Sequence, residues 1–291
     1  MFPAFAASLL CPVCRTSLGF SDGERRTLAC AAGHSFDAAR QGYFNFLVGK
    51  GTVFEADTAD MVAARFDFLS AGHYSKLAEA AAELVAPALQ GRSPGAAATV
   101  LDAGTGTGHY LRAVLDRALV EGAPVEAIGL DISKFALRRA AKLNPEAVNL
   151  AGDVWQPLPV GDDAVDAVTV VFAPRNAADF ARVLRPGGRL IVVTPRPGHL
   201  AEIAGQTGML GIEPAKDERL AASLEGHFAL LAARDLDLQL SLTPDDAVRL
   251  ALMGPAGHHL DRGALASLTA GFPPLTRVSA RFRLSVFVPR P

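Results

Sequence analysis

From residue 99 to residue 195, short apolar runs alternate with segments in which apolar residues recur every three or four positions. A short apolar run predicts a strand, and the longer amphipathic spacing predicts a helix. Alternating strands and helices are typical of an α/β fold built on a parallel sheet. The predicted strands span residues 100–103, 125–131, 148–153, 164–172 and 190–194, and the predicted helices span 109–120 and a segment capped by Ser133 that ends near Leu143.

Between the N-terminal residues and this region, the chain contains a linker and then two predicted helices. Residues 48–60 are rich in glycine and then in acidic residues, which predicts a mobile connection. Helices are predicted over 60–72 and 76–89 from their apolar spacing. A length of 291 residues is typical of about two domains. We therefore expect a small domain at 1–47, the linker at 48–60, and a large domain at 61–291 that opens with entrance helices at 61–90.

All three cysteines lie in the first 30 residues, where Cys11-x2-Cys14 is followed, after fifteen residues, by Cys30-x3-His34. An odd number of cysteines is a poor basis for a disulfide framework. Two tight turns that each present two soft ligands match the tetrahedral geometry of zinc, and four protein ligands leave no open position for catalysis. The pattern therefore predicts a structural Cys3His zinc ribbon. The alternative is three free buried cysteines beside a surface histidine.

A glycine-rich turn follows the first predicted strand of the large domain. Its pattern is Asp102-x-Gly104-x-Gly106-x-Gly108, and His109 stands where a dinucleotide-binding Gly-x-Gly-x-x-Gly motif has its third glycine. Small residues let a ligand approach the backbone at the start of the next helix without requiring a pyrophosphate. The turn alone is weak evidence for a site.

Two acidic residues, Asp131 and Asp153, end the second and third predicted strands. The carboxyl ends of parallel strands share one edge of the sheet, where ligands of such sheets bind. A carboxylate at Asp131 can accept hydrogen bonds from both hydroxyls of a ribose, and one at Asp153 can bind an adenine amino group. The alternative is that both residues only cap helices. Together with the glycine turn, the two acids predict a ligand site at this edge.

Composition narrows the classes of function. Half of the residues are apolar and 20% are charged, which excludes a disordered chain, and no apolar run reaches the roughly 18 residues of a membrane span. The apolar first ten residues lack the positive charge and cleavage site of a signal peptide, so we expect a cytoplasmic protein. The net charge of −2 argues against nonspecific nucleic-acid binding. The two ends of the chain are basic, with a net charge of +2 over residues 1–50 and +4 over residues 260–291. A specific contact with RNA is therefore still possible.

The motifs of the large domain resemble those of class I S-adenosylmethionine-dependent methyltransferases. Residues 102–108 are similar to the first motif of that superfamily, 129–131 to the second, 152–153 to the third, and 180–195 to the segment along the fifth strand. The resemblance implies a Rossmann-like, mostly parallel seven-stranded sheet and S-adenosylmethionine as cofactor. The cofactor-binding residues that it implies are Asp102, Gly104, Thr105, Gly106, Gly108, His109, Asp131 and Asp153.

The first 75 residues resemble the RlmA/TlrB family of 23S ribosomal RNA guanine-N1 methyltransferases. The similar elements are residues 11–14, 30–37, 42–47, 61–69 and 72–74. The resemblance implies methyl transfer to N1 of a guanine in the hairpin 35 loop of 23S rRNA, RNA recognition by the zinc ribbon, and a contribution to tylosin-type macrolide resistance. One departure is Met253-Gly254-Pro255, where the family usually has Met-Thr-Pro.

Phe172 and Pro174 follow the fourth predicted strand, and we expect them to line the pocket for the target base; for Phe172 the alternative is core packing. Two other functions stay open: a zinc-bearing methyltransferase of small molecules, and a non-catalytic zinc-ribbon binding module. No residue is identified as a general base, and the sequence leaves the oligomeric state, including a homodimer, open. The basic residues of the ribbon expected to meet RNA phosphates are Arg15, Arg25, Arg26, Arg40 and Lys50.

Overall fold

The computed structural model describes residues 9–21, 23–49, 51–90, 96–207, 222–259 and 262–290. The apolar residues 1–8 and Lys50, which entered the sequence interpretation, lie outside this part of the chain. None of the helices within it is long and apolar enough to cross a membrane. These residues form a small antiparallel sheet and a larger mixed sheet.

The small sheet is the N-terminal ribbon. Its strands are β1 (Leu18–Phe20), β2 (Thr27–Cys30) and β3 (Ser35–Asp37), which pair in antiparallel order. β1 and β2 form an antiparallel hairpin in which Leu18 pairs with Cys30 and Phe20 with Leu28.

The ribbon packs directly on the large domain. Leu9 forms an antiparallel bridge with Val160, and the N–H of Leu10 donates to the carbonyl oxygen of Pro159 at 3.0 Å. Leu18 and Leu28 are fully buried in the same apolar cluster as the core strands of the large domain. Because so short a ribbon buries little by itself, this shared core holds it in place.

The strands of the large sheet are β4 (Tyr43–Asn45), β5 (Ala98–Ala103), β6 (Val125–Asp131), β7 (Val148–Ala151), β8 (Val165–Val171), β9 (Leu184–Pro195), β10 (Phe228–Leu242) and β11 (Thr276–Pro289). Within the described residues their order is β10-β11-β9-β8-β5-β6-β7-β4. The strands from β4 to β9 run parallel, whereas β11 is antiparallel to both of its neighbours. Every residue of the central strands β5 and β8 is buried, which explains why they are mostly apolar.

The eighth strand corrects the predicted seven-stranded sheet. β4 pairs in parallel with β7, so residues assigned to the ribbon at 1–47 extend the large sheet. Tyr43 and Phe44 are both buried there, and Tyr43 packs beside Leu137 and Ala141. The predicted boundary at residue 47 therefore lies just after a strand of the large sheet.

The helices are α1 (Ala59–Ser70), α2 (Ser75–Leu89), α3 (His109–Val120), α4 (Lys134–Leu143), α5 (Ala177–Val183), α6 (Ala201–Thr207), α7 (Pro244–Leu252) and α8 (Arg262–Gly271). The first two are the predicted entrance helices. Since β5 to β8 are parallel neighbours, the loops that follow them meet at one edge of the sheet. This carboxyl edge carries the predicted cofactor and target-base residues.

Candidate cofactor and metal sites

The four predicted zinc ligands converge on one point. One ligand atom from each of Cys11, Cys14, Cys30 and His34 lies within 4.8 Å of all the others. The Sγ atoms of Cys14 and Cys30 are 3.7 Å apart, and the Cys30 Sγ lies 3.5 Å from Nδ1 of His34. Sulfurs bound at about 2.3 Å to a tetrahedral ion stand about 3.8 Å apart. All three cysteines are free thiols, so the cluster fits a structural zinc, as predicted.

The surroundings of Cys14 and Cys30 favour the charged form of these two thiols, whereas burial raises the pKa of Cys11. Cys30 ends β2 and His34 directly precedes β3, so one turn presents both ligands. The hydroxyl of Thr16 lowers the pKa of Cys14. Burial acts to raise the pKa of Cys30, but hydrogen bonds with His34 and other neighbours outweigh it and lower the pKa to about 6. Zinc binds thiolates, so both effects favour metal binding.

The glycine turn after β5 depends on residues without a side chain. Gly104 has a φ of +82°, and a Cβ at this position would lie 2.3 Å from the Cβ of Ala173, in the loop after β8. Gly108 has a φ of +85°, and a Cβ there would lie 2.6 Å from Nδ2 of Asn144. The turn can therefore press against both neighbours only because these positions are glycine.

Asp131 links the glycine turn to the start of α4. Its two carboxylate oxygens accept hydrogen bonds from the backbone N–H groups of Gly106 and Ser133, each at 2.8 Å. Burial raises the pKa of Asp131, and these backbone donors oppose that rise. Ser133, not Asp131, caps α4, because its hydroxyl accepts from the N–H of Ala136. Each carboxylate oxygen keeps a further lone pair for a ligand hydroxyl.

Asp102 and Thr105 present polar atoms that have no partner in the described residues. Oδ1 of Asp102 accepts a hydrogen bond from the Thr169 hydroxyl at 2.6 Å, whereas Oδ2 is buried and unpartnered. The hydroxyl oxygen of Thr105 is also buried without a partner. Burial raises the pKa of Asp102 to about 6, against the opposing effects of the Thr169 hydroxyl and of the Thr105 hydroxyl, which lies nearby but forms no hydrogen bond of good geometry with the carboxylate. Unpaired buried polar atoms are costly, so this pair fits a polar ligand group beside the turn.

His109 connects the glycine turn to α1. Its Nδ1 lies 2.9 Å from the hydroxyl of Thr107, and its Nε2 lies 3.1 Å from the hydroxyl of Ser70. Its ring also meets Phe66 edge-on, with 5.2 Å between the ring centroids. Burial lowers the pKa of His109 to about 4, so the ring is neutral at pH 7. These protein contacts occupy both ring nitrogens; a contact of His109 with the cofactor stays a prediction.

Asp153 anchors the linker at the same edge of the sheet. Oδ2 accepts a hydrogen bond from the Thr52 hydroxyl at 2.7 Å, and Oδ1 accepts from the N–H of Trp155 at 3.0 Å. The Ser133 hydroxyl donates to the carbonyl oxygen of Asp57, farther along the linker, at 3.1 Å. The segment predicted as a mobile connection is therefore hydrogen-bonded across the carboxyl edge.

Arg65 of α1 is a site residue that sequence reasoning did not single out. Its guanidinium pairs with Asp57 and donates to the carbonyl oxygen of Met253 at 2.7 Å. Its side chain also lies over Gly106 of the glycine turn, 3.8 Å from the point where a Cβ would stand. The departure at Met253-Gly254-Pro255 thus lies beside the arginine that covers the turn. The sequence feature that could have identified Arg65 was its position within the motif at residues 61–69.

A cavity of about 570 Å³ adjoins Asp131. It lies between the linker and the start of α4, and Asp57, Ile132, Ser133 and Phe135 are among its lining residues.

Phe172 and Pro174 lie on the loop that faces the glycine turn. Phe172 has a φ of +56°, a strained value for a side chain of this size, and its ring is 45% exposed. The ring lies near two aromatic neighbours that sequence reasoning missed, with centroid distances of 6.4 Å to Tyr110 and 5.7 Å to Phe282. The ring is therefore not simply core, and strained residues of this kind cluster at functional sites.

The ribbon arginines that were predicted to contact RNA phosphates differ in the contacts they make within the protein. Arg15 donates to the carbonyl oxygens of Pro157 and Leu158, at 3.2 and 2.9 Å, and so docks the ribbon on the large domain. Arg25 lies over the ring of Phe20 at 4.8 Å. Arg40 is exposed. Arg15 therefore has a structural role in docking the ribbon, and its contact with RNA stays a prediction.

Comparison with known proteins covers both parts of the chain. The family model described as "RlmA, N-terminal" matches residues 9–48, and the one described as "Methyltransferase domain" matches residues 100–188. A Micromonospora griseorubida protein named "Putative 23S rRNA (guanine-N(1)-)-methyltransferase" is 42% identical over 99% of this chain and 100% of its own length. A Streptomyces fradiae protein named "23S rRNA (guanine(748)-N(1))-methyltransferase" is 42% identical over 97% of each chain.

Proposed function

The chain belongs to the family of 23S rRNA (guanine-N1)-methyltransferases, and from this premise we propose that it transfers the methyl group of S-adenosylmethionine to N1 of a guanine in 23S rRNA. The observation that carries the proposal is the 42% identity to a relative named for this reaction, over 97% of both chains. That relative is named for guanine 748. The corresponding guanine, in the hairpin 35 loop, is the proposed target.

Bound S-adenosylmethionine supplies a methyl group that the positive sulfur already activates. Asp131 would accept hydrogen bonds from the ribose hydroxyls, and Asp153 would accept one from the adenine amino group. The unpartnered Oδ2 of Asp102 and the hydroxyl of Thr105 would hold the ammonium group. The main task of the chain is then to position the two reactants in line, a proximity effect.

The target guanine would stack on Phe172, whose exposed ring lies in the loop facing the glycine turn. Pro174 is exposed on the same loop and would limit where the base can enter. A base of an RNA loop can be splayed out of its stack, which makes N1 reachable. The N–C bond would form as the S–CH3 bond breaks, so that S-adenosylhomocysteine leaves as a neutral thioether. The N1 proton must also leave, so the pocket has to provide a path from N1 to water or another proton acceptor.

The affinity for S-adenosylmethionine is expected to fall about tenfold between pH 7 and pH 5. The pKa of Asp102 is about 6 in the free protein, so its carboxylate is charged at pH 7 and mostly protonated at pH 5. Only the charged form attracts the ammonium group. Titration calorimetry at the two pH values measures the change, and Asp102→Asn should bind more weakly with a flatter pH dependence. A wild-type affinity that is equal at both values contradicts this role of Asp102.

Incubation with methyl-labelled S-adenosylmethionine tests the proposed function against its two alternatives. We expect label in purified 23S rRNA. A methyltransferase of small molecules would instead label a small acceptor from a cell extract and leave the RNA unlabelled. A non-catalytic zinc-ribbon module would label neither. Unlabelled RNA, offered both naked and within ribosomal particles, would overturn the proposal.

Three further statements belong to this proposal. The enzyme acts in the cytoplasm, where 23S rRNA is transcribed. Methylation of the hairpin 35 loop lowers susceptibility to tylosin-type macrolides, which growth of a sensitive host with and without the gene tests. A homodimer, left open by the sequence, is tested by light scattering of the purified protein at several concentrations.

A further inference from the structure

Two exposed aromatic rings stand together beside the cofactor edge. Phe54 of the linker and Trp155, after β7, are each 48% exposed, and their ring centroids are 6.4 Å apart. Exposed single apolar residues are ordinary, but a paired phenylalanine and tryptophan leave a large aromatic surface in water. The cofactor site proposed above gives neither ring of this aromatic pair, Phe54 and Trp155, a role.

One carboxylate holds both members of the aromatic pair. The N–H of Trp155 donates to Oδ1 of Asp153 at 3.0 Å. The N–H of Phe54 donates to the hydroxyl oxygen of Thr52 at 3.1 Å, and that hydroxyl donates to Oδ2 of Asp153 at 2.7 Å. The backbone at both rings is therefore tied to Asp153, and the two rings contact each other across this link.

A half-buried arginine lies on the loop next to the pair. No hydrogen bond or ion pair joins Arg175 to another described residue, and burial lowers the pKa of its guanidinium. The neighbouring Asn176 donates from Nδ2 to the carbonyl oxygen of Val154 at 3.0 Å, which holds this loop against the backbone at Trp155. A guanidinium withdrawn from water without an anion is costly, so Arg175 is suited to an anion that arrives from outside.

The location lies between the target-base pocket and the ribbon. Arg175 follows Phe172 and Pro174 in the loop after β8. Trp155 precedes the segment 157–160 on which the ribbon docks. Along the chain, the aromatic pair and Arg175 therefore adjoin both the ribbon-docking segment and the target-base loop, so an RNA strand that contacts the ribbon and delivers a base to Phe172 can also reach them.

We propose that Phe54, Trp155 and Arg175 bind a single-stranded nucleotide of the substrate RNA next to the target guanine. Its base stacks on the aromatic pair, and its phosphate pairs with Arg175. Single-stranded RNA is held in this way, by aromatic stacking combined with cationic groups along the backbone. The inference rests on the proposed function, because it takes 23S rRNA as the substrate.

Trp155 is the only tryptophan of the chain, so its fluorescence reports directly on this surface. We titrate the zinc-loaded, full-length protein with a hairpin RNA that carries the hairpin 35 loop of 23S rRNA. Stacking predicts quenching that saturates with the RNA. Unchanged emission at RNA concentrations that saturate methylation overturns the inference and leaves the proposed function standing. Emission that instead changes with protein concentration, without RNA, assigns the surface to a second copy of the chain and also overturns it.

Kinetics of substituted proteins give the second measurement. Trp155→Ala is expected to raise the KM for the hairpin RNA by about 5- to 150-fold, the range of one lost base stack, with the affinity for S-adenosylmethionine unchanged. Trp155→Phe, which keeps an aromatic face, should recover most of the loss. Arg175→Gln should reduce the slope of log affinity against log salt by about 0.7, the contribution of one single-strand phosphate.

Arg189→Gln is the matched control, because Arg189 lies near the start of the β8–β9 pairing, at the opposite edge of the sheet. It should leave both KM and salt slope unchanged. If Arg175→Gln behaves like Arg189→Gln and Trp155→Ala keeps the wild-type KM, the nucleotide site is wrong. If the wild type fails to methylate 23S rRNA, the proposed function fails, and the fluorescence titration still decides separately whether RNA binds at Trp155.

Discussion

Cys30→Ser is expected to remove the bound zinc and to reduce methylation of 23S rRNA at least a hundredfold. A structural zinc contributes about 10 kcal/mol or more to the folding of a small metal domain, far above the roughly 2.7 kcal/mol that a hundredfold loss represents. The three strands of the ribbon have three or four residues each and share their core with the large domain. Without metal, the ribbon therefore loses the ligand turns that order it. Elemental analysis and a methylation assay measure the two effects.

Thr16→Val is the matched control for the zinc site. Its hydroxyl lies 3.1 Å from the Cys14 sulfur, but it is not one of the four ligands. It should keep one zinc per chain and most of the activity. Cofactor affinity of Cys30→Ser should stay within about tenfold of the wild type, because the glycine turn and its acids lie outside the ribbon. A zinc-free protein that methylates RNA at the wild-type rate would contradict the structural role of the metal.

Gly104→Ala is expected to weaken S-adenosylmethionine binding at least a hundredfold. The new Cβ would lie 2.3 Å from the Cβ of Ala173, closer than any carbon contact allows, and the φ of +82° adds about 1–2 kcal/mol of strain. Relief requires that the glycine turn move away from the loop after β8. That movement displaces the hydrogen-bond donors and acceptors around the cofactor. Titration calorimetry with S-adenosylmethionine measures the resulting loss of affinity.

Gly122→Ala separates crowding from backbone strain. Gly122 also has a positive φ, +66°, but a Cβ there would meet nothing within 4 Å. It should cost some stability and leave cofactor affinity at the wild-type level. Equal affinities for the two variants would mean that the close approach of the turn to Ala173 does not organise the cofactor site.

Local sequence patterns predicted the centre of the fold well. α3 and β6 have the bounds expected from the apolar spacing. A helix or strand with a regular pattern of apolar residues can be located from that pattern alone. The zinc ligands could also be predicted from the sequence, since each pair of ligands is separated by only two or three residues. The acids at Asp131 and Asp153 could be located because parallel strands end at one edge.

Features that depend on distant pairing were not accessible from the sequence. The three residues of β4 join the sheet only because β7, more than 100 positions later, offers an open edge. Strands β10 and β11 were not predicted, because much of β10 is exposed and its cross-strand contacts, such as Asp235 with Arg283, join residues 48 positions apart. Likewise, the covering of the glycine turn by Arg65 requires the helix and the turn to be placed in space.

Primer extension on 23S rRNA after incubation with the enzyme and S-adenosylmethionine tests the central claim most directly. A methyl group on guanine N1 blocks the pairing edge, so reverse transcriptase should stop immediately before the modified nucleotide. We predict one new stop in the hairpin 35 loop, at the guanine that corresponds to position 748, and its absence from the reaction without cofactor. Labelled RNA without such a stop, or a stop elsewhere in 23S rRNA, would contradict the assignment.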